Sequence, residues 1–92
     1  MGNIEEKIDI LMIELGFEKV KVNNTLNYYL NGWYYKVTYV DGLKSYIIET
    51  ASNYEEAKLN VYEDADLYPL SLGESKILED LRNDLIKYCI ND

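Results

Sequence analysis

The sequence predicts an α+β domain in which an N-terminal helix, a four-stranded antiparallel meander, a short helix and a long C-terminal helix pack with the helices on one sheet face. Three observations carry this. Apolar residues recur at helical spacing near both ends of the chain, and the period falls to two between Phe17 and Ala51. Asn31-Gly32 and Asp41-Gly42, both favoured type I′ hairpin dipeptides, cut that middle segment. The 92 residues, 48 % of them hydrophobic, suit one core, so residues 1–92 are expected to form a single domain.

Asn3 followed by Glu6 offers a helix cap, and Ile4, Ile8, Leu11 and Leu15 then mark one apolar stripe. Gly16 stands where a left-handed stop is easiest without a Cβ, so the first helix runs from about Ile4 to Leu15. In the meander, a two-residue Asn31-Gly32 loop pairs Leu30 with Trp33, Tyr28 with Tyr35 and Leu26 with Val37. A two-residue Asp41-Gly42 loop pairs Tyr39 with Lys44, Val37 with Tyr46 and Tyr35 with Ile48. Both turns place Leu26, Tyr28, Leu30, Trp33, Tyr35, Val37, Tyr46 and Ile48 on one face, which is the expected core face, with Trp33 buried beneath helical side chains. The opposite face, expected to be partly wet, shows Tyr29, Tyr34, Lys36, Thr38, Val40, Ser45, Ile47 and Glu49. A tight Asn23-Asn24 loop would turn Val20 and Val22 away from the core face, so a three-residue connection or a bulge is expected there.

Ser52 with Glu55 forms a second capping-box pattern ahead of Tyr54, Ala57 and Val61, which places a short helix over Asn53 to Asn60. Pro69 and Gly73 punctuate Tyr62 to Leu72, which reads as irregular, with Leu67, Leu70 and Leu72 tucked against the core. The last helix spans Glu74 to Ile90, with Leu78, Leu81, Leu85 and Cys89 on its buried stripe.

The residue inventory removes most enzyme mechanisms. There is no histidine to serve as neutral-pH base or zinc ligand. The single cysteine, Cys89, forms no intramolecular disulfide and lies on an apolar stripe without a base, where a thiol acts as a small hydrophobe. The five glycines fall singly, so no phosphate-cradling loop is formed. Glu63, Asp64 and Asp66 echo a fragment of a calcium loop but lack the remaining ligands and the closing Glu. Neighbouring carboxylates such as Glu55 and Glu56 point away from each other on a helix, and so small a domain leaves little room for a desolvating cleft. No catalytic residue, cofactor or metal is therefore expected. The chain opens without a signal-peptide pattern, and apolar stretches such as Ile10 to Ile13 fall far short of the roughly 20 residues that cross a bilayer, so a cytoplasmic protein is expected.

Charge then points to the partner. The net charge of -8 repels phosphate backbones and anionic lipid, so neither nucleic acid nor membrane is expected as a direct ligand. Most of that charge lies in residues 49–92, and within 49–66 Glu49, Glu55, Glu56, Glu63, Asp64 and Asp66 are met by the single base Lys58. Ten tyrosines accompany it, and tyrosine can rest at a surface yet bury its ring in an interface. The candidate partner-binding set is therefore Glu49, Tyr54, Glu55, Glu56, Tyr62, Glu63, Asp64, Asp66 and Tyr68, facing a basic protein that such a surface would attract and orient.

The run Ile48-Glu49, then Asn53-Tyr54-Glu55-Glu56-Ala57, then Tyr62-Glu63-Asp64-Ala65-Asp66-Leu67-Tyr68-Pro69, continued by Leu72-Gly73-Glu74 and Asp84-Leu85, resembles small acidic immunity proteins of Gram-positive polymorphic-toxin systems. That resemblance implies a cytoplasmic, non-catalytic antitoxin that occludes a toxin domain. The element order and charge also resemble some phage anti-CRISPR proteins, which imply a DNA-mimic inhibitor of a nucleic-acid enzyme. A structural subunit that assembles through the open sheet face is the third reading, and the expected state is a monomer or weak homodimer.

Overall fold

The structure is a computed structural model that describes residues 3–90, with side chains described over 4–88. It runs α1 (Asn3–Glu14), β1 (Glu18–Val22), β2 (Thr25–Leu30), β3 (Trp33–Val40), β4 (Ser45–Ala51), α2 (Tyr54–Lys58), β5 (Glu63–Pro69) and α3 (Glu74–Leu85), closed by a π-helical turn over Ile86–Ile90. The five strands form one antiparallel sheet in chain order. The α+β class is as expected, but the meander has five strands and the helices lie on both sheet faces.

α1 stops as its glycine predicts. Gly16 takes φ 103°, its N–H donates to the Ile13 carbonyl, and the Phe17 N–H donates to the Met12 carbonyl, each at 3.0 Å. Those two bonds satisfy carbonyls that the helix end would leave bare, and Met12 and Phe17 both enter the core. The side chain of Asn3, the expected cap, lies outside the described side chains.

Each hairpin turn sets its register differently. Asn31 and Gly32 both adopt positive φ, and Leu30 faces Trp33 and Tyr28 faces Tyr35, as read from the sequence. Asp41–Leu43 instead forms a 3-10 turn with Lys44 left-handed, so Tyr39 meets Tyr46 and Val37 meets Ile48. This displaces the expected pairing by two residues, and because the side-chain period is also two, every residue keeps its face. Asn23 and Asn24 make the tight loop that was not expected: both have positive φ and Val22 faces Thr25. Val20 and Val22 therefore do lie opposite the main core, and α2 supplies their cover. Val22, Ala51 and Ala57 form a second small cluster with Val20, Tyr34 and Tyr62 around it. The Asn23 amide donates to the Lys58 carbonyl, tying the turn to the end of α2.

β5 replaces the irregular segment. Glu63, Asp64, Ala65 and Asp66 are poor strand formers, but the open edge of β4 offers them a backbone ladder, and an edge strand leaves carboxylates in water. The ladder carries a bulge: Ile48 faces Asp66 while Glu49 faces Asp64, which leaves Ala65 as the extra residue.

α1 and α3 pack on the other face. Ile8, Leu11, Met12, Phe17, Tyr28, Tyr35, Tyr46, Ile48, Tyr68, Ile77, Leu81 and Leu85 make the main core, with Phe17 edge-on to Tyr35 at 5.2 Å. Ile77 is buried where Leu78 was expected, and Leu78 is half-buried beside it. α3 gives way to the π turn after Leu85, and the side chain of Cys89 lies outside the described side chains. Trp33 is on the predicted face yet 44 % exposed, because it sits at the hairpin end of β3, where it lines an open cleft with Asp84, Leu85 and Tyr88. Leu26 is exposed as well, as are Leu67, Leu70 and Leu72, since alternation along β5 turns inward Tyr68 and not Leu67.

Candidate protein-interaction surface

The nine predicted interaction residues do not form one surface. Asn53 is the cap of α2, its Oδ1 accepting from the Glu56 N–H at 2.8 Å. The Glu56 carboxylate reaches back to accept from the Ser52 N–H at 2.9 Å and the Ser52 hydroxyl at 2.7 Å. Those bonds favour the ionised form and hold the Glu56 carboxyl below the usual range. The capping box thus lies one residue later than Ser52 with Glu55, and Glu56 is occupied in holding the helix start.

Tyr62 is half-buried against the second face of the sheet. Its hydroxyl donates to Asn27 Oδ1 at 2.6 Å, and the Asn27 amide donates to the Thr25 carbonyl at 3.1 Å. Burial pushes the Tyr62 hydroxyl pKa up. Lys36 Nζ lies 4.0 Å from the Tyr62 ring centroid and donates to Asn60 Oδ1 at 3.0 Å. Glu49 is half-buried and accepts from the Thr38 hydroxyl at 2.9 Å. Tyr68 is buried in the main core and donates to Asp84 Oδ2 at 2.8 Å. Tyr62 and Tyr68 are therefore structural, and Glu49 is largely engaged within the sheet.

The exposed remainder is Tyr54, Glu55, Glu63, Asp64 and Asp66. Tyr54 continues a ladder of rings on the second face, 6.1 Å from Tyr34, which lies 5.0 Å from Tyr29. The β5 bulge divides the acids: Asp64 shares the face of Glu49, whereas Asp66 shares that of Ile48 and turns toward α3. Ser45, predicted for the open face, is buried, with its hydroxyl on the Leu43 carbonyl at 2.8 Å.

Two clefts open on the helix side of the sheet. One, of about 590 Å³, lies between α1 and the sheet. There the Tyr28 hydroxyl donates to Asp9 at 2.8 Å, Lys19 pairs with Asp9 at 3.2 Å, and burial with the Asp9 contact raises the Tyr28 hydroxyl pKa far above its usual value. The other, of about 470 Å³, lies between β5 and the end of α3, where Trp33, Asp66, Asp84 and Tyr88 meet over Ile48 and Leu85. Burial, and then the nearby Asp84 charge, push the Asp66 carboxyl above the usual range. Sequence reasoning missed this cleft, because its walls come from β3, β5 and α3 and no local pattern links them.

Among the described residues no group of three or more Cys, Asp or Glu side chains is placed to hold a metal ion, and no helix is long and apolar enough to cross a membrane. No protein-family model, no curated protein and no solved structure matches the chain.

Proposed function

We propose that this chain is a non-catalytic protein-binding module that neutralises a basic protein by covering it, as a cytoplasmic immunity protein covers its toxin. One observation carries the reading: Glu55, Glu63, Asp64 and Asp66 stay exposed, and among the described residues none of them is in an ion pair. Lys7, Lys19, Lys44 and Lys76 are instead paired with other acids, which leaves the acidic edge as an uncompensated field. Such a field accelerates encounter with a basic surface and disfavours acidic ones. Tyr54 beside it provides a ring that can be buried on contact. The charges along β5 also resist pairing with another strand, so contact would run through side chains and not through extension of the sheet.

Reversal of Glu55, Glu63 and Asp64 to lysine tests this, with Glu56 left in place because it caps α2. Far-ultraviolet circular dichroism should stay native. In pull-downs from the source cell's lysate, the parent should capture a basic protein that the reversed bait loses, and capture by the parent should weaken as salt shortens the Debye length from about 10 Å at 0.1 M. Recovery of the same proteins by both baits would overturn the reading.

A further inference from the structure

The cleft between β5 and α3 differs from the rest of the acidic surface in having aromatic walls. Trp33 is 44 % exposed and Tyr88 is 59 % exposed, whereas Tyr28, Tyr35, Tyr46 and Tyr68 on the same side of the sheet are buried. Asp66 and Asp84 converge on it from β5 and α3, and the Asp84 charge adds to burial in raising the Asp66 carboxyl. Two partly desolvated like charges are costly unless a cation joins them. In the α1 cleft, Lys19 is that cation for Asp9; here no basic residue lines the cleft among the described residues. Lys87 lies 5.2 Å from the Tyr88 ring centroid but is exposed and outside the cleft wall.

We propose that this cleft receives an arginine side chain of the basic partner, which stacks its guanidinium on the Trp33 and Tyr88 rings and donates hydrogen bonds to Asp66 and Asp84. The inference rests on the reading of the chain as a binder of a basic protein. Charge complementarity selects a cation, and the aromatic walls select which one. A guanidinium is planar, weakly hydrated and carries five donors in a fork, so it can stack and bond at once, while an ammonium is a compact, strongly hydrated point charge. A hard metal ion fits less well, since it takes six or more oxygens and two carboxylates fall short. The cleft's 470 Å³ lies within the roughly 300–1,000 Å³ typical of ligand sites, enough for one long side chain and part of its backbone.

The test is titration of the 15N-labelled full chain with the capped peptide acetyl-Gly-Arg-Gly-amide, with the lysine and citrulline peptides in parallel. The arginine peptide should shift the Trp33 indole resonance and the Asp66 and Asp84 amides, with the millimolar affinity of a one-residue anchor. The citrulline peptide, of the same shape without the charge, should leave them unmoved, and the lysine peptide should bind several-fold more weakly. Asp66→Asn should weaken arginine binding by about tenfold, the loss of one charge-assisted hydrogen bond, while the Tyr68–Asp84 bond and the fold persist. Trp33→Leu should weaken it independently. Equal shifts with citrulline, shifts confined to the α2 face, or an unchanged affinity in Asp66→Asn would each overturn the proposal. If one of these outcomes appears while the parent chain captures a basic protein in a salt-dependent way, the arginine site falls and the binding function stands. If arginine binds the cleft but both baits recover the same proteins, the acidic-edge reading falls instead.

Discussion

The Tyr62 hydroxyl donates a 2.6 Å hydrogen bond to Oδ1 of Asn27, a side chain with no solvent exposure that lies 35 residues earlier on β2. This one bond fastens the segment after α2 to the second face of the sheet, and it satisfies a polar group that water does not reach.

Tyr62→Phe leaves the Asn27 oxygen buried without that donor, which costs about 1–3 kcal/mol. Urea unfolding should show the loss as a lower midpoint with an unchanged slope. In a double-mutant cycle with Asn27→Ala, the two losses should fall short of additive, because each removes the same bond. Strict additivity would mean that the bond contributes nothing to stability.

The buried stripe of α3 is set by Ile77, Leu81 and Leu85, with Leu78 at its margin. Ile77→Ala should therefore cost about 2–5 kcal/mol, the transfer and cavity cost of a buried aliphatic side chain, and Leu78→Ala distinctly less. Thermal unfolding of the two variants decides it, and a larger loss at Leu78 would mean that α3 is rotated about its axis.

Asp66 yields a pH dependence of defined sign. Its carboxyl is raised in the folded chain, by burial first and by Asp84 second. The folded state therefore holds this proton more tightly than the unfolded chain, whose carboxyl stays near the ordinary 3.8. Stability falls as pH rises from that value through the folded one, and the penalty is complete above it. Asp66→Asn removes the penalty, so the variant should have a higher melting temperature than the parent near pH 7 and no advantage near about pH 3. A variant less stable than the parent at pH 7 would show that the Asp66 charge is stabilising.

The candidate surface was half legible. Tyr54, Glu55, Glu63, Asp64 and Asp66 are exposed, as an acidic run in an amphiphilic chain should be. Glu56, Tyr62 and Tyr68 are not free, because a glutamate at the third helical position is drawn to the cap and a tyrosine beside a sheet is drawn under it. The Trp33 cleft was illegible, since its residues meet only across the tertiary fold.

The sequence by itself determined what depends on a few neighbouring residues: where α1 ends, the Asn31-Gly32 hairpin, and which residues of β2, β3 and β4 share a face. Side-chain alternation keeps that last assignment even when the turn after β3 moves the register by two. Only the tertiary structure decided the rest. β5 is a strand because the edge of β4 lends it a ladder that its own acidic residues would not nucleate. Val20 and Val22 face away from the main core because α2, reached only after three more strands, covers them there. Trp33 stays 44 % exposed because it lines a cleft whose other walls come from β5 and the end of α3. Each of these depends on what a distant segment places against the residue, and no local propensity encodes that.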